Sequence, residues 1–200
     1  MSRTVSKSQL LAAERREQLA AACLDDIAEH GFGHVTMARI ARRVGLTRAR
    51  VYTYFDTRDE LIEYAIADEL ARILGEVSVL LDHGDDARKA VVAAFAYLYR
   101  RLADHPVMHQ LLNGERTRLM SHLRGDTPET IATAQAIIVE ELRLLSDRTS
   151  TPLDAEGGAE FMIRAWLSLL VSPHLGSDLS EPGEVEAVAR RWLLPGTFGD

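Results

Sequence analysis

The sequence predicts an all-α protein of about nine helices, and three observations support this fold class. Apolar residues recur with the 3.6-residue period of an α-helix along the chain, whereas the alternation typical of strands is missing. Residues that cap or stop helices fall at the ends of these apolar stripes. The 200 residues, 46% of them hydrophobic, suffice for one or two domains with buried cores.

Four helices are expected in the N-terminal part of the chain, each bounded by a polar N-cap or a glycine stop. They are expected at about 9–29, 37–44, 48–54 and 58–81. The N-caps are Thr36, Thr47 and Thr57, and the stops are Gly31 and Gly45. The first helix has an apolar stripe that includes the single cysteine, Cys23, which we interpret as a core residue.

Five or so further helices are expected in the second half of the chain, at about 86–103, 106–113, 127–148, 154–171 and 182–194. The stretch 115–123 is expected to be helical too. The first few residues, the stretch 172–180 and the tail after Pro195 are expected to be loose. No apolar run approaches the roughly 20 residues of a membrane span, and the N-terminus is unlike a signal peptide. We therefore expect no membrane association and a cytoplasmic location, with which a single cysteine agrees.

The net charge of −7 conceals a basic region. Residues 1–60 contain ten Lys and Arg against eight Asp and Glu, whereas residues 61–200 contain thirteen against twenty-two. Residues 36–58 contain six arginines and one acid, Asp56. Because salt screens charges over about 8–10 Å, the local patch decides whether this region attracts a nucleic acid. The acidity of the whole chain therefore does not oppose DNA binding.

Residues 36–55 have the spacing of a helix-turn-helix unit. Two short predicted helices, each opened by a threonine, are separated by Gly45 and Leu46. Gly45 permits the left-handed backbone that the turn needs, and Leu46 fills the space between the helices. Many helical hairpins share this pattern, so by itself it is a weak indication of DNA binding.

The surrounding stretch, VTMARIARRVGLTRARVYTYFDTRDELIEYAI, makes the indication specific. Its spaced motif residues are Gly31, Thr36, Ile40, Ala41, Gly45, Leu46, Thr47, Tyr52, Tyr54, Phe55, Arg58, Glu60 and Leu61. In these residues the chain resembles the DNA-binding domain of the TetR family over about residues 13–73. The resemblance implies a transcriptional regulator, by family default a repressor. It also implies that a long fourth helix joins this domain to an effector-binding and dimerisation domain at 74–200.

The predicted DNA-binding residues follow from position and from this resemblance. The N-terminal residues of a recognition helix lie nearest the base edges, so Arg48 and Arg50 are expected to read guanine. The resemblance assigns Tyr52 and Tyr54 to contacts with DNA. The complete predicted set is Thr36, Thr47, Arg48, Ala49, Arg50, Tyr52, Tyr54 and Arg58, in which the residues at helix N-termini, Thr36, Thr47 and Arg58, are expected to touch phosphate.

Some of these positions depart from the family pattern, and others keep two interpretations. Ala49 stands where the family commonly has glycine, Arg50 where it often has a small residue, and Arg58 where lysine is usual. The base preference therefore does not transfer from relatives. Three further arginines, Arg39, Arg42 and Arg43, either add positive field or form ion pairs with Asp25, Asp26 or Glu29.

The resemblance also implies a homodimer that pairs the last two long helices, and hence an inverted-repeat operator in double-stranded DNA. The apolar face of the predicted helix 154–171 is too wide for one neighbour, which favours a second contact with a partner. Its members are Phe161, Met162, Ala165, Trp166, Leu169 and Leu170, and the last helix adds Val185, Val188, Ala189 and Trp192. Most of these residues are also compatible with an ordinary core.

The effector is unidentified and is expected to be a small hydrophobic molecule. The candidate pocket residues are Phe95, Tyr99, Met108, Leu111, Met120, Met162 and Trp166. A mostly apolar set with few polar groups suits a hydrophobic or aromatic ligand, whereas for each residue taken singly ordinary packing is the more frequent role.

An enzyme and a protein-interaction module are the two functional classes that compete with a DNA-binding regulator. The chain has no motif of a hydrolase, a phosphate-binding loop or a zinc protease, so we expect no enzyme activity and no cofactor. His105 and His109 are four residues apart but have no cysteine or firm carboxylate partner, so no metal site is expected. The alternative function is a helix-turn-helix protein that contacts other proteins without binding an operator.

Overall fold

In a computed structural model, which describes residues 7–82, 86–114, 129–172 and 178–199, every regular element is helical. The helices are α1 Lys7–His30, α2 Met37–Arg43, α3 Arg48–Val51, α4 Arg58–Asp82, α5 Ala87–Ala103, α6 Pro106–Gly114, α7 Glu129–Thr149, α8 Ala155–Val171, α9 Glu184–Val188 and α10 Leu194–Phe198. A 3-10 turn, Phe32–His34, follows α1, and a π-helical segment, Ala189–Leu193, joins α9 to α10. The all-α fold class is confirmed. The helix expected at 115–123 lies outside the described residues.

The chain divides into two compact units, with a boundary inside α4. Among the described residues, the first unit comprises 7–70 and 106–114. The second comprises 71–82, 86–105, 129–172 and 178–199. The first unit therefore includes α6, which our sequence boundary at residue 73 assigned to the C-terminal domain. The reason is packing against α1: Val107 is buried in the N-terminal core, and Gln110 Nε2 donates to the Ala28 carbonyl at 3.0 Å.

The helix ends in the first unit follow the predicted caps. The side-chain oxygens of Thr36, Thr47 and Thr57 accept hydrogen bonds from the backbone N–H three residues later, at 3.0–3.2 Å. Gly31 and Gly45 adopt φ values of 81° and 67°, a region that favours glycine. These local signals were sufficient to predict α2 and the start of α3.

The core of the first unit is formed by α1, α2, α3 and the start of α4. Its largest fully buried side chains are Leu19, Ile27, Ile40, Phe55, Leu61 and Ile62. Cys23 is buried there as well, and burial raises the pKa of its thiol to about 12. A thiol so far from ionisation is a weak nucleophile, which agrees with a packing role.

The second unit ends in more helix than the sequence indicates. The tail after Pro195 was expected to be loose, but α10 runs to Phe198 and buries Thr197. The prediction was wrong because Pro195 stands in the first turn of a new helix, where its missing N–H has no helical partner to lose. Thr197 packs against Gly158 of α8, and its carbonyl accepts from Asp154 N at 2.7 Å. None of the described helices is long and apolar enough to cross a membrane.

Candidate functional site

The turn between α2 and α3 has a defined hydrogen-bond pattern. Leu46 N donates to the Ala41 carbonyl at 2.8 Å, and Gly45 N donates to the Arg42 carbonyl at 3.3 Å. These two bonds are those of a Schellman motif, which requires the left-handed conformation of Gly45. The motif ends α2 abruptly and sets the direction of the chain into α3.

The α-helical part of α3 is shorter than the predicted helix 48–54. Beyond Val51 the chain closes through i to i−3 bonds, from Thr53 N to Arg50 O at 3.2 Å and from Tyr54 N to Val51 O at 2.9 Å. Such bonds tighten the last turn of a helix. Because Val51 is fully buried, the opposite side of α3 faces solvent.

The exposed side of α3 carries two arginine–tyrosine pairs. Arg48 Nη2 donates to Tyr52 Oη at 3.2 Å, and Arg50 Nη2 donates to Tyr54 Oη at the same distance. Each guanidinium also lies over the ring of its partner. The Arg48 Cζ atom is 5.5 Å from the centroid of the Tyr52 ring, and the Arg50 Cζ atom is 5.3 Å from that of Tyr54. The i to i+4 spacing places each pair on one face of the helix. Two guanidinium groups, each with five N–H donors, are thereby held on the exposed side of α3.

The two pairs differ in how firmly their tyrosines are held. Tyr52 is exposed, whereas Tyr54 is half-buried and packs against the N-terminal core. Arg16 Nη1 also donates to the Tyr54 carbonyl, and its guanidinium lies 4.1 Å from the Phe55 ring centroid. Arg50 is therefore paired with a tyrosine that packs on the core, and Arg48 with an exposed one.

The other predicted DNA-binding residues lie in two kinds of position. Thr36, Thr47 and Ala49 are exposed around α2 and α3. Arg58 is half-buried instead: its Nη2 donates to the Phe32 carbonyl at 2.7 Å, and its buried Nε has no hydrogen-bond partner among the described residues. In this position Arg58 ties the start of α4 to the turn after α1. A phosphate contact would require that bond to open.

A buried carboxylate, which the sequence analysis did not single out as buried, fixes α2 on α1. Asp26 is fully buried and accepts from Arg39 Nη2 at 2.7 Å and from Arg39 Nε at 3.1 Å. Arg43 Nε lies 3.4 Å from the same carboxylate, and Arg43 also pairs with Glu29. Burial raises the pKa of Asp26, but the Arg39 hydrogen bond and the nearby positive charges outweigh it, so the net pKa lies below its usual value. Two of the three arginines with open interpretations, Arg39 and Arg43, thus form ion pairs.

The second unit encloses a small apolar cavity of about 20 Å³. Its walls come from α4, α5, α7 and α8, and three predicted pocket residues, Phe95, Met162 and Trp166, lie among them. The Phe95 and Trp166 rings stack with centroids 5.3 Å apart, and Trp166 Nε1 donates to the Phe95 carbonyl at 3.2 Å. Among the described residues, Glu141 is the one charged residue that lines the cavity.

The remaining predicted pocket residues lie elsewhere. Tyr99 is buried on α5 but is not a lining residue of this cavity. Met108 and Leu111 belong to α6 in the first unit, where Leu111 packs against the N-terminal core. Met120 lies outside the described residues. Within the described part of the chain, no group of three or more His, Cys, Asp or Glu side chains could hold a metal ion.

The last helices of the second unit leave apolar side chains in solvent. Phe161 and Val171 of α8 and Trp192 of the π-helical segment are exposed, whereas Met162, Trp166 and Leu170 are buried. The predicted wide apolar face therefore splits into an inner and an outer part. Exposed large apolar side chains such as these, tryptophan above all, are enriched at protein interfaces.

Comparisons with known proteins agree with this architecture. The profile of the family described as bacterial regulatory proteins, tetR family, matches residues 19–65. The chain is 26% identical over 164 residues to an uncharacterized HTH-type transcriptional regulator of Mycobacterium tuberculosis, a match covering 80% of this chain and 78% of that relative.

Solved structures share the fold. A TetR-family transcriptional regulator from Pectobacterium atrosepticum superposes with a TM-score of 0.70 at 16% identity, covering 98% of this chain and 99% of that chain. The repressor AlkX from Dietzia, implicated in the biodegradation of n-alkanes, gives 0.65 at 20% identity and covers 87% and 92% of the two chains. Residues 19–65 thus form a helix-turn-helix domain that matches the tetR family of bacterial regulatory proteins, and together with the HTH-type relatives and the shared fold they identify the chain as a DNA-binding transcriptional regulator similar to TetR-family proteins.

Proposed function

We propose that the protein is a sequence-specific repressor that binds an inverted-repeat operator as a homodimer and is released by a small apolar effector. The observation that supports this most is the presentation of Arg48 and Arg50 on the exposed side of α3, each oriented by a tyrosine. Arginine forms a bidentate pair with guanine O6 and N7 in the major groove. Because the protein acts on the chromosome in this proposal, we place it in the cytoplasm.

The proposed contacts have separate roles. Arg48 and Arg50 read bases, while Thr47, Ala49 and Tyr52 lie beside them on the exposed surface of α3. Thr36 and the exposed Arg42 are proposed to face phosphate. Arg58 joins them only if its bond to Phe32 opens; otherwise it acts by fixing α4. Tyr54 contributes mainly by holding Arg50.

The exposed apolar side chains of α8 and the π-helical segment support the dimer. A second copy that covered Phe161, Val171 and Trp192 would remove them from water, which favours association. A two-fold axis through this contact would present two copies of α3 to two half-sites. The operator is therefore proposed to be an inverted repeat.

The cavity of the second unit supports effector binding. Its apolar lining suits an apolar ligand, but about 20 Å³ holds little more than one water molecule, so the walls must separate to admit an effector. Leu74, Val77 and Leu81 of α4 are among the walls, and the same helix begins at Arg58 next to the DNA-binding unit's core. We propose that α4 couples effector binding to operator release. Linkage then requires operator DNA to weaken effector binding by the same factor.

DNA titration at 50 and 200 mM salt separates this function from the alternative of a helix-turn-helix used only for protein contacts. A dimer that neutralises several phosphates is expected to lose about 10³-fold or more in affinity between these concentrations. The measurement is fluorescence anisotropy with duplex recovered from a random pool. Absence of DNA binding at 50 mM salt would contradict the proposal and favour the alternative.

A further inference from the structure

The cavity of the second unit is apolar on all sides except one. Leu74, Phe95, Leu142, Met162 and Trp166 are buried around it. Glu141 of α7 lines the same cavity and is half-buried, as is Ile137 one turn earlier on the same helix. These two residues form the half-exposed edge of the cavity, which we call the mouth.

Glu141 has a neutral partner only. Its Oε1 accepts from Ser78 Oγ at 2.7 Å, and no Lys, Arg or His among the described residues forms an ion pair with it. Ser78 Oγ also lies 3.3 Å from the Leu74 carbonyl, to which it can donate instead. A hydroxyl cannot neutralise a carboxylate, so among the described residues the negative charge at the mouth has no cationic partner, and it depends on solvation by water.

A ligand that fills the cavity must displace that water. An apolar or anionic ligand would leave the Glu141 carboxylate partly desolvated and unpaired, which is unfavourable. A ligand with a protonated amine at one end would replace the lost water with an ion pair and a charge-assisted hydrogen bond. Its apolar body would lie between α4, α5, α7 and α8.

We propose that the effector of this protein is a cationic amphiphile, with an apolar body in the cavity and an ammonium group at Glu141. This inference rests on the proposed function, because it names the ligand class of the same effector site. The proposal narrows the class of effector from any hydrophobic molecule to one with a positively charged head group. It excludes carboxylates such as fatty acids.

Three probes of equal length test the charge preference: n-octylammonium, n-octanol and octanoate, each below its micellar concentration. Binding to the full-length protein is measured by calorimetry at pH 7. We expect octylammonium to bind about tenfold more tightly than octanol and octanoate to bind most weakly. Equal or tighter binding of octanoate would overturn the proposal.

Two matched variants assign the preference to Glu141. Glu141→Gln keeps the shape and the hydrogen bond to Ser78 but removes the charge, so octylammonium should lose about tenfold in affinity while octanol is unchanged. Glu140→Gln removes the same charge from an exposed neighbour on α7 and should change neither. An octylammonium affinity unaffected by Glu141→Gln would also overturn the proposal.

Operator release is recorded with the same probes, so the two hypotheses fail separately. If octanol binds and releases DNA as well as octylammonium does, effector regulation stands and the charge preference is wrong. If octylammonium binds through Glu141 without changing operator affinity, the site stands and the proposed regulation fails. If no probe binds, both are wrong.

Discussion

The contacts that stabilise the first compact unit internally differ in kind from those that stabilise the second. In the first, charged groups lie at the helix junctions: Asp26 beneath α2 and Arg58 against the turn after α1. In the second, the described walls of the cavity are apolar apart from Glu141, and the Phe95 and Trp166 rings stack there. Hydrogen bonds are directional and hydrophobic contacts are not. The polar junctions of the first unit therefore fix α2 and the start of α4, whereas we propose that the apolar walls in the second unit repack around a ligand.

The largest effect is expected from a charge on the exposed apolar surface of the second unit. Trp192→Asp should raise the dimer dissociation constant by about 100-fold or more, because an unpaired carboxylate would be buried at the interface. Operator affinity should fall with it. Sedimentation and operator binding measure the two quantities.

Val79→Asp is the matched control for Trp192→Asp. Val79 is 57% exposed and Trp192 is 58% exposed, but Val79 belongs to α4 and not to the helices of the proposed interface. A Trp192→Asp variant that stays dimeric at micromolar concentration would remove the proposed interface.

The next effect concerns the buried carboxylate of the first unit. Asp26→Asn should reduce the free energy of unfolding by about 2–3 kcal/mol, since it removes the charge that Arg39 and Arg43 face. Both tryptophans, Trp166 and Trp192, belong to the second unit, so fluorescence reports on that unit. Hydrogen exchange of the α2 amides reports on the first, and there the loss should appear.

The pH dependence of this effect has a definite sign. The native pKa of Asp26 is lowered, so its stabilisation is present above the ordinary aspartate value of about 3.9 and is lost as pH falls through the native pKa. The gap between wild type and Asp26→Asn should therefore close in acid. Glu29→Gln, at the exposed end of the same network, should have a much smaller effect at pH 7. A pH-independent gap would contradict the account.

A smaller effect is expected where the second unit packs most closely. A Cβ at Gly158 would lie 2.9 Å from Thr197 Cγ2, so Gly158→Ala should destabilise by about 1 kcal/mol despite its better helix propensity. Thr197→Ser removes that methyl group and should restore stability in the double variant. Gly75→Ala, with nothing within 4 Å, should instead stabilise by about 0.5–1 kcal/mol. Thermal unfolding followed by fluorescence measures all three, and equal effects at Gly158 and Gly75 would contradict the packing argument.

The smallest effect separates the two arginine–tyrosine pairs. Tyr54→Phe removes the hydroxyl that holds Arg50 and should weaken operator binding roughly threefold. Tyr52→Phe should cost less than twofold, because Tyr52 is exposed and its orientation of Arg48 is looser. Anisotropy titrations on one operator compare the two. The reverse order would show that core anchoring of the tyrosine is unimportant.

Local signals made the first unit easier to predict than the second. Thr36, Thr47 and Gly45 act on backbone groups within a few residues, so their effect can be read from sequence alone. Burial of Asp26 and the inward position of Arg58 depend on residues 13 and 26 positions away, and no periodicity reports them.

Long-range packing also explains why some predicted pocket residues lie away from the cavity and why the prediction of a loose tail was wrong. Met108 and Leu111 share apolar character with Phe95 and Met162, but α6 packs on α1 instead. Thr197 is polar and comes two residues after Pro195, yet it is buried beside Gly158. Which apolar surfaces meet is decided by tertiary packing, for which composition and spacing carry little information.

Selection of bound duplexes from a random pool tests the central claim most directly, with wild type, Arg48→Ala, Arg50→Ala and Arg58→Ala compared side by side. We expect an inverted repeat for the wild type. For at least one of Arg48→Ala and Arg50→Ala we expect relaxed preference at one base of each half-site, worth roughly 1–3 kcal/mol. Arg58→Ala should weaken binding without changing the selected site. An unchanged site for both α3 variants, with an altered one for Arg58→Ala, would contradict the assignment of base reading to α3.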